Sequence, residues 1–279
     1  MKKILQDTVT RHWNSRASSY FNNIKKDFLR PEIRRRWEKV LVDFIGSGEN
    51  LMILDAGCGP APITRILTDL GHQVIGVDIS VPMLAKAKEL MAEDFGEVSF
   101  MISDVSNMPF SDATIDLVIS RHLIWTLPEP QKAVREWYRI LKPGGRLAII
   151  DGNWYLNYPR PTLRKYLVHL SHMFYKIRSG FDDSQKLAIH YIKELPTTYL
   201  HRPDWDLGLL AGIGFSDLKA STDLAAKIWV NPWERMLHDL SYGMFLVEAT
   251  KPCNNSGKTE SEVSLLINGA GHNRKTDKT

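Results

Sequence analysis

The sequence predicts an α/β protein built on a doubly wound, mostly parallel sheet of seven strands. Short apolar runs of strand length alternate with helical patterns between residues 51 and 151, and this alternation is typical of parallel βαβ units. A glycine turn directly follows the first apolar run, where a strand would lead into a helix. The chain has 279 residues, of which 43% are hydrophobic, so it can bury a large core in one domain.

Residues 1–46 precede the alternation and are predicted to form a helical cover. A helix from about residue 31 to residue 44 is indicated by apolar residues at helical spacing, Trp37, Val40, Leu41 and Phe44. The first 40 residues carry 11 Lys or Arg but 4 acidic residues. This excess is consistent either with a solvated helix face or with contact to an acidic partner.

The alternating elements then follow without a break. We predict strands at 51–55, 73–78, 98–103, 115–120 and 145–151, and helices at 60–70, 81–94 and 129–141. Pro60 suits the first turn of a helix, where its missing N–H costs nothing. The Lys-Pro-Gly-Gly run at 142–145 is a helix stop that turns into the fifth strand.

The alternation is interrupted at residues 152–204, which we interpret as an inserted lid with helices at 163–177 and from 183 towards 195. Its first residues are pocket candidates, because the strand end before them fixes where they point: Asp151, Asn153, Trp154 and Tyr155. A helix at 205–213 and strands at 215–221 and 241–250 complete a domain spanning 47–252. The connection at 222–240 could add to the pocket or to an interface. Residues 253–279 are mostly polar and predict a disordered tail.

The glycine turn and the acid after the second strand together indicate a nucleotide-type site. Gly57 and Gly59 would let backbone N–H groups approach a ligand closely. Asp78 can accept hydrogen bonds from ribose hydroxyls, although it could instead cap the following helix. Pro62 stands where the dinucleotide fingerprint requires a small residue, and Asp55 would repel a diphosphate. Both residues argue against an NAD-dependent oxidoreductase.

Residues 54–60, Leu-Asp-Ala-Gly-Cys-Gly-Pro, resemble the first motif of the class I S-adenosylmethionine-dependent methyltransferases, in which a third glycine is usual at the position of Ala61. The resemblance implies a Rossmann-like fold and S-adenosyl-L-methionine as the cofactor. The segment from Trp13 to Tyr20 is similar to one that covers the cofactor in this family. The cofactor-binding residues implied are Tyr20, Asp55, Gly57, Gly59, Asp78, Ile79, Asp104, Val105, Ser120 and Arg121.

The resemblance also gives roles to two neighbouring positions after the third strand. It implies that the Asp104 carboxylate accepts a hydrogen bond from the adenine amino group, and that the next backbone N–H, at Val105, meets a ring nitrogen. The alternative for Asp104 is a loop cap. At the sheet edge, the family places its last two strands as an antiparallel hairpin, in the order six then seven.

The fourth strand leads into Ser120, Arg121 and His122, which should face the methionine end of the cofactor and the acceptor. Arg121 could bind a carboxylate or form a surface ion pair. His122 could act as a general base, since imidazole exchanges protons near neutral pH, or could simply shape the pocket.

The sequence therefore predicts a methyltransferase that acts on a small molecule by direct in-line displacement. Two alternatives are methylation of RNA or protein through the basic N-terminal helices, and a non-catalytic S-adenosylmethionine-binding protein. No histidine pair has metal-ligand spacing with a second shell, so we predict no metal. Bulk charge, which is +4, does not imply a nucleic-acid partner. The two cysteines indicate no disulfide framework, no apolar run could span a bilayer, and we expect a cytoplasmic protein.

Overall fold

The computed structural model describes residues 2–28, 30–46, 50–91, 98–154, 191–232, 234–235 and 243–253. Its strands are β1 (Met52–Ala56), β2 (Gln73–Asp78), β3 (Val98–Ile102), β4 (Ile115–Arg121), β5 (Leu141–Asp151), β6 (Ser216–Ser221) and β7 (Phe245–Thr250). They form one sheet in the order β3-β2-β1-β4-β5-β7-β6. Strands β1 to β5 pair in parallel, whereas β7 is antiparallel to both β5 and β6. This confirms the predicted doubly wound, mostly parallel sheet.

The described helices are α1 (Lys2–Asp27), α2 (Pro31–Ile45), α3 (Pro62–Asp69), α4 (Val81–Met91), α5 (Pro130–Ile140), α6 (Asp204–Ile213) and α7 (Leu224–Ile228). They cover both faces of the sheet, so successive residues of one strand enter different cores. In β1, Ile53 packs with α2, α3 and α7, whereas Leu54 packs with α5 and α6. A parallel sheet needs this double cover because its strands are apolar on both faces.

Several element boundaries differ from the sequence prediction, and the starts of α3 and β5 are the most informative of them. Helix α3 begins at Pro62 instead of Pro60, because the turn continues through Ala61, whose N–H donates to the Cys58 carbonyl. Ala61 has a left-handed backbone with φ of 61°. This explains why glycine is usual there in the resembled motif, since a side chain disfavours that conformation. Strand β5 begins at Leu141, directly after α5, so the glycines at 144 and 145 lie within it.

The predicted order of the last two strands is wrong. β7 lies between β5 and β6, with Ile149 opposite Val247 and Ala220 also opposite Val247. β7 is buried along most of its length, while β6 alternates with exposed residues. The more apolar strand therefore takes the inner position, and the more polar one forms the edge.

Part of the 222–240 connection packs in the core. Leu224, Ala225 and Ile228 of α7 are buried beside α2, and Trp229 continues the same cluster. None of these residues lines the main cavity described below. Most of the proposed lid, at 155–190, and the tail from 254 onward lie outside the described residues.

Candidate functional site

A cavity of about 810 Å³, its mouth included, lies at the carboxyl ends of the central strands. This is the edge at which open α/β sheets bind ligands. Helix α1 covers it, contributing Gln6, Val9, Trp13 and Tyr20. The cavity is lined by ten of the eleven residues singled out from the sequence: Tyr20, Asp55, Gly57, Gly59, Asp78, Ile79, Asp104, Val105, Arg121 and His122.

Ser120 is the exception, because it does not line the cavity. Successive side chains of a strand point to opposite faces of the sheet, and the Arg121 guanidinium lies 5.4 Å from the ring centroid of Trp37. Ser120 therefore points to the other face, where it is 1% exposed.

The backbone of the glycine turn differs from the predicted ligand cradle. The N–H groups of Gly57 and Cys58 both donate to the Val77 carbonyl, at 2.8 and 3.0 Å. The Gly59 N–H donates to Asp78 Oδ2 at 2.9 Å. These donors are already satisfied within the chain, so the turn is not the array of free amides that binds phosphates at helix N-termini. The glycines matter instead because their positive φ angles, 70° and 55°, shape the turn.

Asp55 lies under the turn and holds the start of α3. Its Oδ2 accepts hydrogen bonds from the Thr64 N–H at 3.1 Å and the Thr64 hydroxyl at 2.6 Å. Ala61, at the N-cap position, has no side chain that could do this, so Asp55 supplies the cap from the neighbouring strand. Burial raises the pKa of Asp55 to about 6, although the two bonds from Thr64 oppose this shift.

Asp78 connects the second strand to the turn. Besides the bond from Gly59, its Oδ1 accepts the Ser80 N–H at 2.8 Å. Ser80 itself caps α4, with its hydroxyl accepting the Met83 N–H at 3.3 Å. Asp78 is therefore not the helix cap. Burial raises its pKa to about 6, opposed by these backbone hydrogen bonds.

The loop after β3 carries a third carboxylate. Asp104 Oδ1 accepts the N–H and the hydroxyl of Ser106, each at 2.8 Å. The side chain thus stabilises its own loop, and Oδ2 forms no hydrogen bond with the described residues. Asp104 combines the two interpretations drawn from the sequence, since it caps the loop and also lines the cavity.

Arg121 brings a positive charge to a site with three carboxylates. Its guanidinium lies 5.2 Å from the Phe28 ring centroid as well as over Trp37, an arrangement that favours a cation. Its Nη1 is 3.4 Å from the Tyr20 hydroxyl. Within the described ranges, no carboxylate forms an ion pair with Arg121, and its buried Nε has no hydrogen-bond partner. The surface ion pair considered from the sequence is therefore not what these residues form.

His122 belongs to a set of neighbouring rings, here called the aromatic wall: His122 and Trp13 line the cavity, whereas Trp125 and Trp154 line a smaller space next to it. Its ring lies edge-on to Trp154, with the centroids 4.7 Å apart. Trp154 is 6.0 Å from Trp125, which is 6.1 Å from Trp13 of α1. The backbone of His122 is left-handed, with φ of 56°. Such a conformation costs about 1–3 kcal/mol and is concentrated at functional sites.

The other pocket candidates that the structure describes, Asp151, Asn153 and Trp154, lie in or next to this wall. Asp151, at the end of β5, is fully buried and pairs with Arg202 at 2.6 Å. It also accepts the Trp154 Nε1–H at 2.8 Å, so it holds one member of the wall. Asn153 and Trp154 line a smaller space of about 250 Å³. Tyr155 lies outside the described residues.

Several lining residues were not predicted from the sequence. Gln6 and Val9 come from α1, and Met83 comes from the first turn of α4. Their apolar or neutral character carried no chemical signal. The position of Met83, one turn after Asp78, was the available clue, since helices that follow strands of such a sheet begin at the ligand-binding edge.

Two kinds of feature are absent from the described part of the chain. No group of three or more His, Cys, Asp or Glu side chains there could hold a metal ion. None of its helices is long and apolar enough to cross a membrane.

Comparison with known proteins places these features in context. Residues 54–149 match the family model described as a methyltransferase domain. A ubiquinone/menaquinone biosynthesis C-methyltransferase from a Ruegeria species is 29% identical over 215 residues, covering 74% of this chain and 82% of the relative. A malonyl-[acyl-carrier protein] O-methyltransferase from Enterobacter lignolyticus is 37% identical over 117 residues, covering 42% of this chain and 45% of that protein. Several other curated relatives are matched over little more than half of their length.

A solved structure supports the fold. The Haemonchus contortus phosphoethanolamine N-methyltransferase 2, in complex with S-adenosyl-L-methionine, is similar with a TM-score of 0.55 and 20% identity. The similarity covers 78% of this chain and 52% of that protein. At this level of identity it supports a common architecture, and it leaves the acceptor of this chain to be argued from its own residues.

Proposed function

Since the chain belongs to the class I S-adenosylmethionine-dependent methyltransferases, we propose that it methylates a planar, largely apolar small molecule. The observation that carries the proposal is the cavity at the carboxyl ends of β1 to β4, which is lined by three carboxylates and by the rings of Trp13, Tyr20 and His122. The residues that bind the cofactor and the acceptor are part of the same proposal.

The polar groups that line the cavity fit an adenosyl sulfonium better than they fit a phosphate-bearing cofactor. The amides of the glycine turn are bonded within the chain, so an anion gains little there. Asp55, Asp78 and Asp104 line the cavity, and carboxylates attract a cationic ligand. The Nε of Arg121, which has no hydrogen-bond partner among the described residues, is suited to the single carboxylate of the methionyl group.

Each polar residue then has a distinct task. Asp78 keeps acceptor capacity on both oxygens and binds the ribose hydroxyls. Asp104 offers Oδ2 to the adenine amino group, and the Val105 N–H meets a ring nitrogen. Arg121, assisted by Tyr20, binds the methionyl carboxylate. Gly59 leaves room beside the ligand, because a Cβ there would have its nearest contact at Tyr20, 3.9 Å away.

Methyl transfer requires the protein mainly to align the two reactants. S-adenosylmethionine supplies a methyl group that is already activated and leaves behind a neutral thioether. The chain holds the acceptor in line with that methyl group, which lowers the barrier through proximity and orientation. His122 removes a proton from an acceptor that arrives protonated, and Trp154 fixes the plane of its ring.

The aromatic wall indicates the class of acceptor. Trp13, Trp125 and Trp154 form a continuous set of rings that runs from the cover to His122. Aromatic side chains bind planar apolar molecules through offset or edge-on contacts. Relatives named for ubiquinone and menaquinone biosynthesis support an acceptor with a ring.

The contacts of the basic N-terminal region favour a small-molecule acceptor over a macromolecular one. Arg34 pairs with Glu38 and Asp69, and Arg36 donates to the Lys227 carbonyl. Lys25 pairs with Glu89. Much of the basic excess is therefore engaged within the chain, so we propose that no nucleic acid is bound.

Incubation with radiolabelled S-adenosylmethionine and a metabolite extract tests the acceptor class. We expect label in the organic-extractable small-molecule fraction, and label confined to precipitated RNA or protein would overturn the proposal. No transfer to either fraction would instead indicate the non-catalytic alternative.

In the same assay, His122→Asn should lower turnover while leaving the calorimetric affinity for S-adenosylhomocysteine unchanged. Turnover equal to that of the unmodified protein would remove His122 from the mechanism.

A further inference from the structure

Helix α5 holds the loop at residues 104–110 from the side opposite the cavity. Three of its side chains, Glu136, Trp137 and Arg139, bond to backbone groups of this loop. We propose that these three are positioning residues for adenine recognition, acting through the loop and without touching the ligand. The inference rests on the proposed binding of the adenosyl group at Asp104 and Val105.

Trp137 makes the central contact. Its side chain is fully buried in the core between the sheet and α5. Its Nε1–H donates to the Val105 carbonyl at 3.1 Å. A buried donor without a partner is costly, so this pair fixes the indole and the loop relative to each other. One peptide unit is thus tied to the core at the residue whose side chain and backbone line the cavity.

Glu136 and Arg139 hold the rest of the loop. Glu136 Oε1 accepts the Met108 N–H at 2.8 Å, and Arg139 Nη1 donates to the Phe110 carbonyl at 2.8 Å. The two side chains also pair with each other at 2.7 Å. The hydrogen bond from Arg139 lowers the pKa of Glu136, so its carboxylate remains ionised and able to accept at neutral pH.

The loop is therefore fixed at three backbone positions on one side while its other side faces the cavity. Within the loop, Asp104 Oδ1 also accepts two hydrogen bonds from Ser106. These bonds fix the carboxylate, so the position of Asp104 Oδ2 is set by the loop. Within the described residues, no carbonyl accepts the Val105 N–H. A fixed acceptor at Asp104 beside a fixed donor at Val105 matches the hydrogen-bonding edge of adenine. Hypoxanthine, in which an oxygen replaces the amino group, would face the Asp104 carboxylate with a second acceptor.

Calorimetry with S-adenosylhomocysteine and S-inosylhomocysteine, using the full chain, tests this role. Trp137→Phe keeps a ring in the core but removes the donor, and Glu136→Ala removes the Met108 contact without emptying the core. Arg135→Ala, at an exposed position of the same helix, is the matched control. We expect about tenfold weaker binding of the adenosine ligand in the first two variants and a comparable loss of preference over the inosine ligand. The Arg135→Ala control should keep both the affinity for S-adenosylhomocysteine and the preference over S-inosylhomocysteine.

The outcomes separate the inference from the proposed function. If the unmodified protein binds neither ligand, the adenosyl site itself is wrong. If it prefers S-adenosylhomocysteine and both variants keep its affinity and preference, the positioning role is wrong. Near-ultraviolet circular dichroism identifies a variant that fails to fold, and Glu136→Ala then decides alone, because its side chain lies outside the core cluster.

Discussion

At the scale of single residues, the site depends on carboxylates held in surroundings that disfavour their charge. Asp55 is 2% exposed, and burial raises its pKa from 3.8 to about 6. A shift of that size corresponds to about 3 kcal/mol of stability that the ionised form loses at neutral pH. Because the raised pKa favours the protonated carboxyl in the folded state, the stabilising contribution of protonated Asp55 is fully present below about pH 4. It is lost as the pH rises through 6.

The ribose-binding role proposed for Asp78 predicts that cofactor affinity depends on pH. Its pKa, raised to about 6 by burial, means that the protonated form grows as pH falls through 6 and can no longer accept two ribose hydroxyls. We expect the Kd for S-adenosylhomocysteine to be constant above pH 7 and to rise below pH 6, measured by calorimetry from pH 8 to pH 5. Asp78→Asn should bind at least about tenfold more weakly at pH 8 and show a smaller change with pH. Equal affinity of the two proteins at pH 8 would contradict the assigned role.

At the scale of elements, the glycine turn shows two different needs for glycine. Both Gly57 and Gly59 have positive φ angles. A Cβ at Gly57 would lie 2.7 Å from Leu123 Cδ1, whereas at Gly59 the nearest atom is 3.9 Å away. The first glycine is therefore required by backbone conformation and by packing against the loop after β4. The second is required by conformation, and no described side chain would clash with a Cβ there.

Alanine substitutions at these two positions should separate the effects. Gly59→Ala should cost about 1–2 kcal/mol of unfolding free energy through the left-handed backbone. Gly57→Ala should cost more, because Leu123 must also move, and it should weaken S-adenosylhomocysteine binding. Urea unfolding of the two variants and calorimetry provide the comparison. A Gly57→Ala variant as stable as Gly59→Ala would show that Leu123 yields without cost.

The elements that could be predicted are those encoded by local patterns. β1, β2 and β3 are short, largely apolar runs, and the acids at or just after their ends, Asp55, Asp78 and Asp104, mark the ligand-binding edge. Ten of the eleven site residues accordingly line one cavity. The prediction for Ser120 was wrong because it assigned consecutive residues at a strand end to the site, although their side chains point to alternate faces of the sheet. The cap that Asp55 gives to Thr64 joins residues nine apart across a turn, and no local pattern encodes such a pair. The same holds for Trp137 and Val105, which meet through the fold.

At the scale of the whole molecule, a buried ion network ties distant segments of the chain together. Arg202 pairs with Asp151 of β5 and with Asp206 of α6, each at 2.6 Å, and all three side chains are at most 2% exposed. The Asn153 amide also donates to the Arg202 carbonyl at 2.7 Å. Because Asp151 holds Trp154 as well, this network joins the end of the sheet to the aromatic wall.

Removing the central cation should therefore be far more damaging than removing a surface one. Arg202→Met leaves two buried carboxylates without their partner, and we expect a loss of about 3–5 kcal/mol in unfolding free energy. Lys227→Met breaks the exposed pair with Asp223 and should cost less than about 1 kcal/mol. Urea unfolding at pH 7.5 measures both. Similar losses for the two variants would mean that the buried network contributes no more than a surface pair.

The indole of Trp137 belongs to the packed interior and to the loop beside the ligand at once. Under the proposed positioning role, a substitution of Trp137 made to raise the melting temperature would also alter nucleoside selectivity, although the side chain does not touch the bound molecule. Thermal stability and base preference cannot be tuned independently here, and a library varied at this position has to be screened for both traits together.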